Sequence, residues 1–410
     1  MDVEEYLARI LVLDGHTAAA LAFTRSLGRA QHWVAVGSNL GIDAPAEVSR
    51  YCRLSVRYPV PSEDAFAFVE AVLKFARENT IDLIVPVSDW TVLPMAKYRD
   101  RFEGVARLAL GPHAALEFAS DKFKTVSLAR EMGIAVPETI LVRSIEDLGA
   151  AAKFDFPVVV KDRFSARWEG NRAILGSVAY AYSPDDLKQK VALRLKAAGD
   201  VLVQQFVTGE GIGFSCLVTE QNVCLPFMWL RIREVDPRGS GSSARRSIPL
   251  SPEIAEASSA LVKRVGLRGI GMVEFKRPAS GPPVLMEINA RPWGSLQLPI
   301  SSGVDYPTHL LKWLLDGTLP PREIKYRTDI TCRRLISELT HLEHTFRGAA
   351  SGWPVPYPSF FRTLLKISVP WYPGMRYDDV WFSDPRPGGA GLAQWLRARW
   401  DRLKPRRSAS

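Results

Sequence analysis

The sequence predicts an α/β protein that opens with a parallel sheet, passes into a domain of mixed strands and helices, and closes with an appendage. Three observations predict this. Apolar runs alternate with helical patterns over the first hundred or so residues, a fresh helix start appears at Asp121, and Trp, Tyr and Pro become dense after residue 320.

The first apolar run, ILVLDGH (residues 10–16), ends in Asp-Gly and leads into an Ala-rich helical stretch from Thr17 to Arg29 and a second run, HWVAVGS. A second unit joins the helical pattern Ser62–Asn79 to the strand pattern Ile81–Asp89. Successive strand–helix–strand units make a parallel sheet, and ligands gather outside the C-terminal strand ends, where Asp89 and Trp90 fall. DGHTAAA supplies one glycine where a dinucleotide fingerprint wants three, so NAD binding is not expected.

Asp121 is placed to cap the helix that begins at Lys122, and GIAVP leads out of it. FPVVVKDRF is a buried-looking strand carrying Lys161, followed by a glycine-containing loop from Ser165 to Ser177 and the strand SVAYAY. DVLVQQFVTGEG is a further strand running into a Gly-rich turn. FSCLVTEQNVCLPFMW folds as a hairpin around Glu220 to Asn222, DPRGSGSSARRS is a polar loop, and Pro252 to Val265 is a helix. GMVEFKRPASGPPVLMEINAR makes two strands around a Pro/Gly turn, and a helix near 308–317 follows. Residues 320–410 form an appendage without a sheet of its own. It ends in a basic helix with Leu392, Trp395, Leu396 and Leu403 on one face, flanked by Arg397, Arg399, Arg402 and Lys404. Such a helix suits contact with a membrane or a partner, or docking on its own chain; docking is the favoured reading because the stripe is short.

Composition narrows the function classes. With 47% hydrophobic and 24% charged residues the chain is ordinary globular material, and no apolar run reaches the length that crosses a bilayer. The acidic start MDVEEYLARILVLDG is unlike a basic secretory leader, so the chain reads as cytoplasmic. Cys52, Cys216, Cys224 and Cys332 are too scattered for a zinc knuckle; Cys216 and Cys224 either face each other across the hairpin or are reduced thiols. Much of the net charge of +9 lies after Arg397, and no nucleic-acid signature accompanies it. HLEH, with His341 and His344, reads as an exposed helical pair and not as a metal site.

The stretch VLMEINARPWGS carries the chemistry. Alternation along a strand sets Leu285, Glu287, Asn289 and Arg291 in one row, apolar first and then polar. The hairpin brings Glu274 beside Glu287. Two carboxylates and an amide oxygen repel unless a cation joins them, and such hard ligands suit Mg²⁺ with bound phosphates. The planar fork of Arg291 then suits an oxyanion. Taken alone, Lys122 and Lys161 each read as a solvated lysine; together, with the loop after Lys161, they suit a polyphosphate. Arg231, Arg233, Arg245 and Arg246 lie about a polar loop suited to hold a substrate carboxylate or close over ATP, but an arginine-rich flexible loop reads first as merely solvated.

SDK before a helix and GIAVPET, then FPVVVKD, VLVQQFVTGEG, MVEFK and VLMEINARPWGS, occur in the order of the ATP-grasp superfamily. Over about residues 8–318 the chain resembles that superfamily, in the branch of the carbamoyl-phosphate synthetase half-domains and carboxylate-amine ligases. The resemblance implies a pre-ATP-grasp domain at 1–118, an ATP-grasp domain at 119–318 with subdomains 119–207 and 208–318, and the appendage at 319–410. It implies ATP and two magnesium ions, or manganese in their place, as cofactors. Lys122 and Lys161 would contact phosphates; Gln204, Gln205, Phe206 and Val207 would form the adenine hinge, with Glu210 near the ribose. Glu274, Glu287 and Asn289 would be metal ligands, and Arg291 with Lys161 catalytic. The hinge departs from the family in carrying glutamine where an acid is usual.

The implied reaction phosphorylates a small-molecule carboxylate to an acyl phosphate, releases ADP and passes the acyl group to an amine. The alternatives are a catalytically silent ATP-binding scaffold, and carboxylation with bicarbonate, for which no biotin-accepting Met-Lys-Met segment is present.

Overall fold

The computed structural model describes residues 7–39 and 43–403. The early apolar runs become Arg9–Val12 (β1), Trp33–Ser38 (β2), Leu54–Arg57 (β3), Leu83–Val85 (β4) and Arg107–Leu108 (β5), all parallel in the order β3-β2-β1-β4-β5. The inner strands β2, β1 and β4 read as continuous apolar runs because both their faces are buried, under helices such as Ala18–Arg29 and Ala65–Glu78. Asp64, not Ser62, caps the second of these helices, accepting from the amides of Phe66 and Ala67.

The next sheet is antiparallel. Thr139–Val142 (β6), Val158–Asp162 (β7), Val178–Ala181 (β10) and Val201–Gln205 (β11) lie in the order β10-β7-β11-β6, with helix Pro184–Ala198 packed on it. The stretch expected as a loop after Lys161 is an antiparallel hairpin, Ala166–Glu169 (β8) and Arg172–Leu175 (β9), turning at Gly170 with φ +63°. Its alternating Arg, Trp, Arg, Ala and Ile side chains favour a strand over a loop.

The third sheet has seven strands. Glu210–Val218 (β12), Val223–Glu234 (β13), Ser242–Ile248 (β14), Gly269–Arg277 (β15), Val284–Asn289 (β16), Thr331–Arg333 (β17) and Met375–Tyr377 (β18) run β16-β15-β12-β13-β14-β17-β18. The residues after 318 therefore complete this sheet: β17 pairs with β14, and β18 pairs in parallel with β17. They lack a sheet of their own because their two strands serve as the edge of another. One face of the seven-stranded sheet packs on helix Pro252–Val265; the other faces the parallel sheet, through Trp229, Trp293 and Tyr306. Leu217 stands opposite Cys224, so Cys216 lies on the other face and cannot bridge to it; all four thiols are free.

Two sequence expectations change here, and the favoured docking of the tail is what the structure has. The segment read as an arginine-rich flexible loop is largely strand: Arg231 and Arg233 lie on β13, Arg245 and Arg246 on β14, and of these only Arg246 is exposed. Each of the other three has a carboxylate: half-buried Arg231 with Glu274, half-buried Arg233 with Glu338 and buried Arg245 with Asp378. His341 is buried, not exposed, with Nδ1 2.6 Å from the Glu234 carbonyl oxygen. The basic tail forms helix Arg386–Leu403 and docks on helix Leu335–Arg347, where Trp395 Nε1 donates to Thr340 Oγ1 at 3.0 Å and Arg399 pairs with Glu343. The side chains of Arg402 and Leu403 and all of Lys404 lie outside the described residues.

The two ends of the chain are clasped by one buried arginine. Arg25, on the first helix, donates from Nε to Asp384 Oδ2 at 2.8 Å and from Nη1 to the Asp378 carbonyl at 2.6 Å, while Ser49 and the Arg50 amide also donate to Asp384. Removing one partner of a fully buried pair strands the other charge. Arg25→Leu should therefore lower the unfolding free energy by about 3–5 kcal/mol. Urea titration checks this, and the Arg25→Leu/Asp384→Leu double variant should recover part of the loss.

Candidate active site

Glu274 on β15 stands directly opposite Glu287 on β16, so their side chains share the face that looks toward the parallel sheet. This pairing depends on a β-bulge. Phe275 pairs with Leu285 and Glu274 with Glu287, which leaves Met286 as the extra residue. Leu285 and Glu287 consequently point to opposite faces, and the single row expected from strand alternation is broken. Leu285 enters the core with Phe275, while Glu287 and Asn289 line the cleft. A second irregularity at Ile232 acts likewise on β13: Arg231 turns to Glu274, and Arg233 turns to Glu338 on the opposite side.

Two half-buried like charges need compensation. Burial pushes the Glu274 carboxyl up and the Arg231 guanidinium pulls it back down, with Glu287 adding a further upward push. The Asn289 amide donates to Glu287 Oε1 at 2.8 Å. Lys161 arrives from the second sheet on β7, and burial lowers its ammonium to about 8, against the upward pull of Glu287. Lys122, the first residue of helix Lys122–Glu131, is also lowered by burial and also drawn up by Glu287 and by Asp89; its Nζ donates to Ser165 at 3.1 Å. Asp121 caps that helix as expected and is gripped by Arg163 at 2.8 Å. Lys122, Lys161, Glu274, Glu287 and Asn289 thus come from four elements: a helix start, β7 and the adjacent strands β15 and β16.

Arg291 leaves β16 and forms a bidentate pair with Asp89, both contacts at 2.8 Å. Asp89 starts helix Asp89–Lys97 at the C-terminal end of β4. The loop before it is held by Asp14, whose Oδ2 accepts from the Ser88 amide at 2.9 Å and from Thr91 Oγ1 at 2.5 Å. Asp14 is at φ +57°, and a Cβ at Gly15 would sit 2.6 Å from Val36, so the Asp-Gly turn admits no larger residue. Sequence reasoning placed Asp89 at a ligand-binding strand end but not against Arg291, and it missed Asp14. Its place at the end of an apolar run and directly before a glycine was the available signal.

The hinge residues diverge. The Gln204 side chain points into the second sheet and donates to Thr139 Oγ1 at 2.8 Å; Gln205 is tied to the Asp155 backbone. Phe206 and Glu210 line a cavity of about 220 Å³ with Arg231, Lys276 and Trp353. Glu210 is paired with Arg277 at its rim. Val207 lies on the connector between β11 and β12. Trp353 makes edge contacts with Phe206 and Tyr180 at 5.3 and 5.1 Å between centroids, so a tryptophan of the C-terminal segment forms a wall of this cavity.

The donor set of two carboxylates and one amide oxygen fits magnesium. Among the described residues no group of three or more His, Cys, Asp or Glu is gathered as for a self-sufficient metal site. An ion here would depend on ligands from outside the chain, such as phosphates, as is usual for magnesium.

The family model described as "ATP-grasp in the biosynthetic pathway with Ter operon" matches residues 198–336. A probable alpha-L-glutamate ligase of Thioalkalivibrio sulfidiphilus is 27% identical over 229 residues, covering 54% of this chain and 72% of that protein. The ribosomal protein bS6–L-glutamate ligase of Shigella boydii is 25% identical over 222 residues, 52% of this chain and 69% of its own. Among solved structures, the L-amino acid ligase of Bacillus licheniformis superposes with a TM-score of 0.57 at 18% identity over 77% of this chain and 78% of its own. N5-carboxyaminoimidazole synthetase of Staphylococcus aureus gives 0.59 at 14% identity, covering 78% and 80%.

The Asp89–Arg291 pair ties the parallel sheet to the strand that bears Glu287. Because both side chains are about one quarter exposed, Asp89→Asn should cost only about 1–2 kcal/mol in denaturant titration.

Proposed function

We propose that this protein, whose residues 198–336 match an ATP-grasp family model and whose fold is like that of solved ligases, is an ADP-forming ligase that activates a small-molecule carboxylate as an acyl phosphate and transfers it to an amine. The observation that carries the reading is the register of Glu274 against Glu287, with buried Lys161 and half-buried Lys122 both near enough for the Glu287 carboxylate to favour their charged forms. We take residues 1–118 as the pre-ATP-grasp domain, 119–207 and 208–318 as the two halves of the clamp, and 319–410 as the segment that completes it.

Lys122 and Lys161 hold the triphosphate, and the Phe206–Trp353 cavity takes the base and ribose. Glu274, Glu287 and Asn289 would hold magnesium, two ions in the family pattern, which supplies neutralisation of the phosphate charge. Arg231 leaves Glu274 only partly free, so it sets how much negative charge that ligand offers. Arg291, pre-oriented by Asp89, presents its fork to the oxyanion that is phosphorylated. A carboxylate is a poor electrophile; phosphorylation provides the leaving group, and the clamp shields the product from water. No side-chain nucleophile is required. ATP use and four free thiols fit a reducing, nucleotide-rich compartment, so we place the protein in the cytoplasm. No helix among the described residues is long and apolar enough to cross a membrane.

The test is to incubate enzyme, ATP, magnesium and a panel of amino acids and small acids with hydroxylamine. A hydroxamate should form in step with ADP; AMP and pyrophosphate in its place would move the protein to the adenylate-forming ligases. Glu287→Gln should abolish ADP release while leaving the circular dichroism spectrum unchanged.

The lowered ammonium of Lys161 gives a pH signature. Below about 8 the free protein already carries the charge that phosphate needs; above about 8 the amine is neutral and must take up a proton on binding. ATP affinity should therefore fall by up to about tenfold per pH unit above that point. Calorimetry at pH 9 in buffers of different ionisation heat should show net proton uptake, reduced in Lys161→Met.

A further inference from the structure

Helix Phe360–Ser368 turns its apolar side to solvent. At 100° per residue, Phe361, Leu364, Leu365 and Ser368 share one face, and Arg362 and Lys366 lie beside it. Thr363 is the residue that is buried. Phe361 is 74% exposed and Leu365 72%; Phe346, which meets Phe360 edge-on, is 75% exposed, and Trp371, just beyond the helix, 61%. An ordinary surface helix shows the reverse arrangement, and a contiguous apolar patch of this kind marks an interaction surface.

The helix is firmly displayed. Buried Arg333 on β17 donates to the carbonyls of Ile367 at 2.7 Å and Val369 at 2.8 Å, supplying partners to the C-terminal end of the helix, while Glu338 neutralises the guanidinium. Tyr377 on β18 donates to the Pro370 carbonyl at 3.0 Å. Backbone anchors on the sheet edge thus hold the segment while its large side chains stand outward.

Charge decides what covers the patch. From His344 to Tyr377 the chain contains no Asp or Glu, and Arg362 and Lys366 are both exposed. A second copy applying the same patch would set these cations against each other. Side chains more than two-thirds exposed stand proud of the surface and do not line a groove, and Trp371 with Tyr372 has the amphipathic character of residues that settle at headgroup level. We propose that helix Phe360–Ser368 and the Val369–Tyr372 loop form a peripheral docking surface for an anionic lipid bilayer, with Phe361, Leu365 and Trp371 entering the acyl boundary and Arg362 and Lys366 meeting headgroup phosphates. The surface is distinct from the ligase site and from the docked tail helix.

The full chain should float with vesicles of phosphatidylcholine and 30% phosphatidylglycerol, and bind vesicles of phosphatidylcholine alone at least tenfold more weakly. Phe361→Ser/Leu365→Ser should abolish flotation. Each of Arg362→Gln and Lys366→Gln should weaken partitioning about fivefold, and less as salt is raised. All four positions are exposed, so circular dichroism and the melting temperature should not move. Equal binding to both vesicle types would overturn the charge assignment. Absence of flotation would overturn the proposal, and if light scattering then showed an oligomer dispersed by Phe361→Ser/Leu365→Ser, the occupant would be a second copy.

Discussion

Two carboxylates, Glu274 and Glu287, face each other on adjacent strands within a largely buried cleft, and the chain around them is arranged to supply positive charge. Arg231 comes from the same sheet, Lys161 from the second sheet, Lys122 from a helix start, and Arg291 from the end of the Glu287 strand with its own counter-ion in Asp89. Like charges at this separation in a poorly hydrated place are tolerated only with compensation. The relative placement of the three sheets can be understood as a means of bringing those cations within reach.

Irregular pairing makes the arrangement possible. A regular strand would have carried Leu285 and Glu287 on the same face, wasting either the core contact or the ligand. The extra residue at Met286 gives one side chain to each. At Ile232 the same device divides Arg231 from Arg233, one serving the cleft and the other the buried Glu338. Gly213 supports the cleft face in a different way: a Cβ there would lie 2.0 Å from the Trp229 ring, which crosses it to stack on Trp293 at an interplanar angle of 4°.

The segment after residue 318 proves to be structural as well as peripheral. It closes the edge of the large sheet with β17 and β18, sends Asp378 to Arg245 and Asp384 to Arg25, and lays Trp353 against Phe206. Its solvent side is then free to carry the apolar helix whose C-terminal carbonyls Arg333 holds. A single segment thus joins the ends of the chain, walls the cavity beside the hinge and presents a surface outward.

The sequence by itself determined the alternation of strands and helices in the first hundred residues, the cap at Asp121, the hairpins at Glu220–Asn222 and Pro278–Pro283, and hence that the strands bearing Glu274 and Glu287 are neighbours, because these follow from local periodicity and turn chemistry. It also singled out Lys122, Lys161, Asn289 and Arg291. Only the tertiary structure decided which face each residue uses and what it meets. A bulge is one unpaired residue and leaves no periodic trace, and the partners of Arg291, Arg245 and Arg25 lie 202, 133 and 359 residues away. Arginines in a glycine- and serine-rich stretch read as solvated until their carboxylates are known. An amphipathic helix reads as half-buried until its apolar side is found facing water.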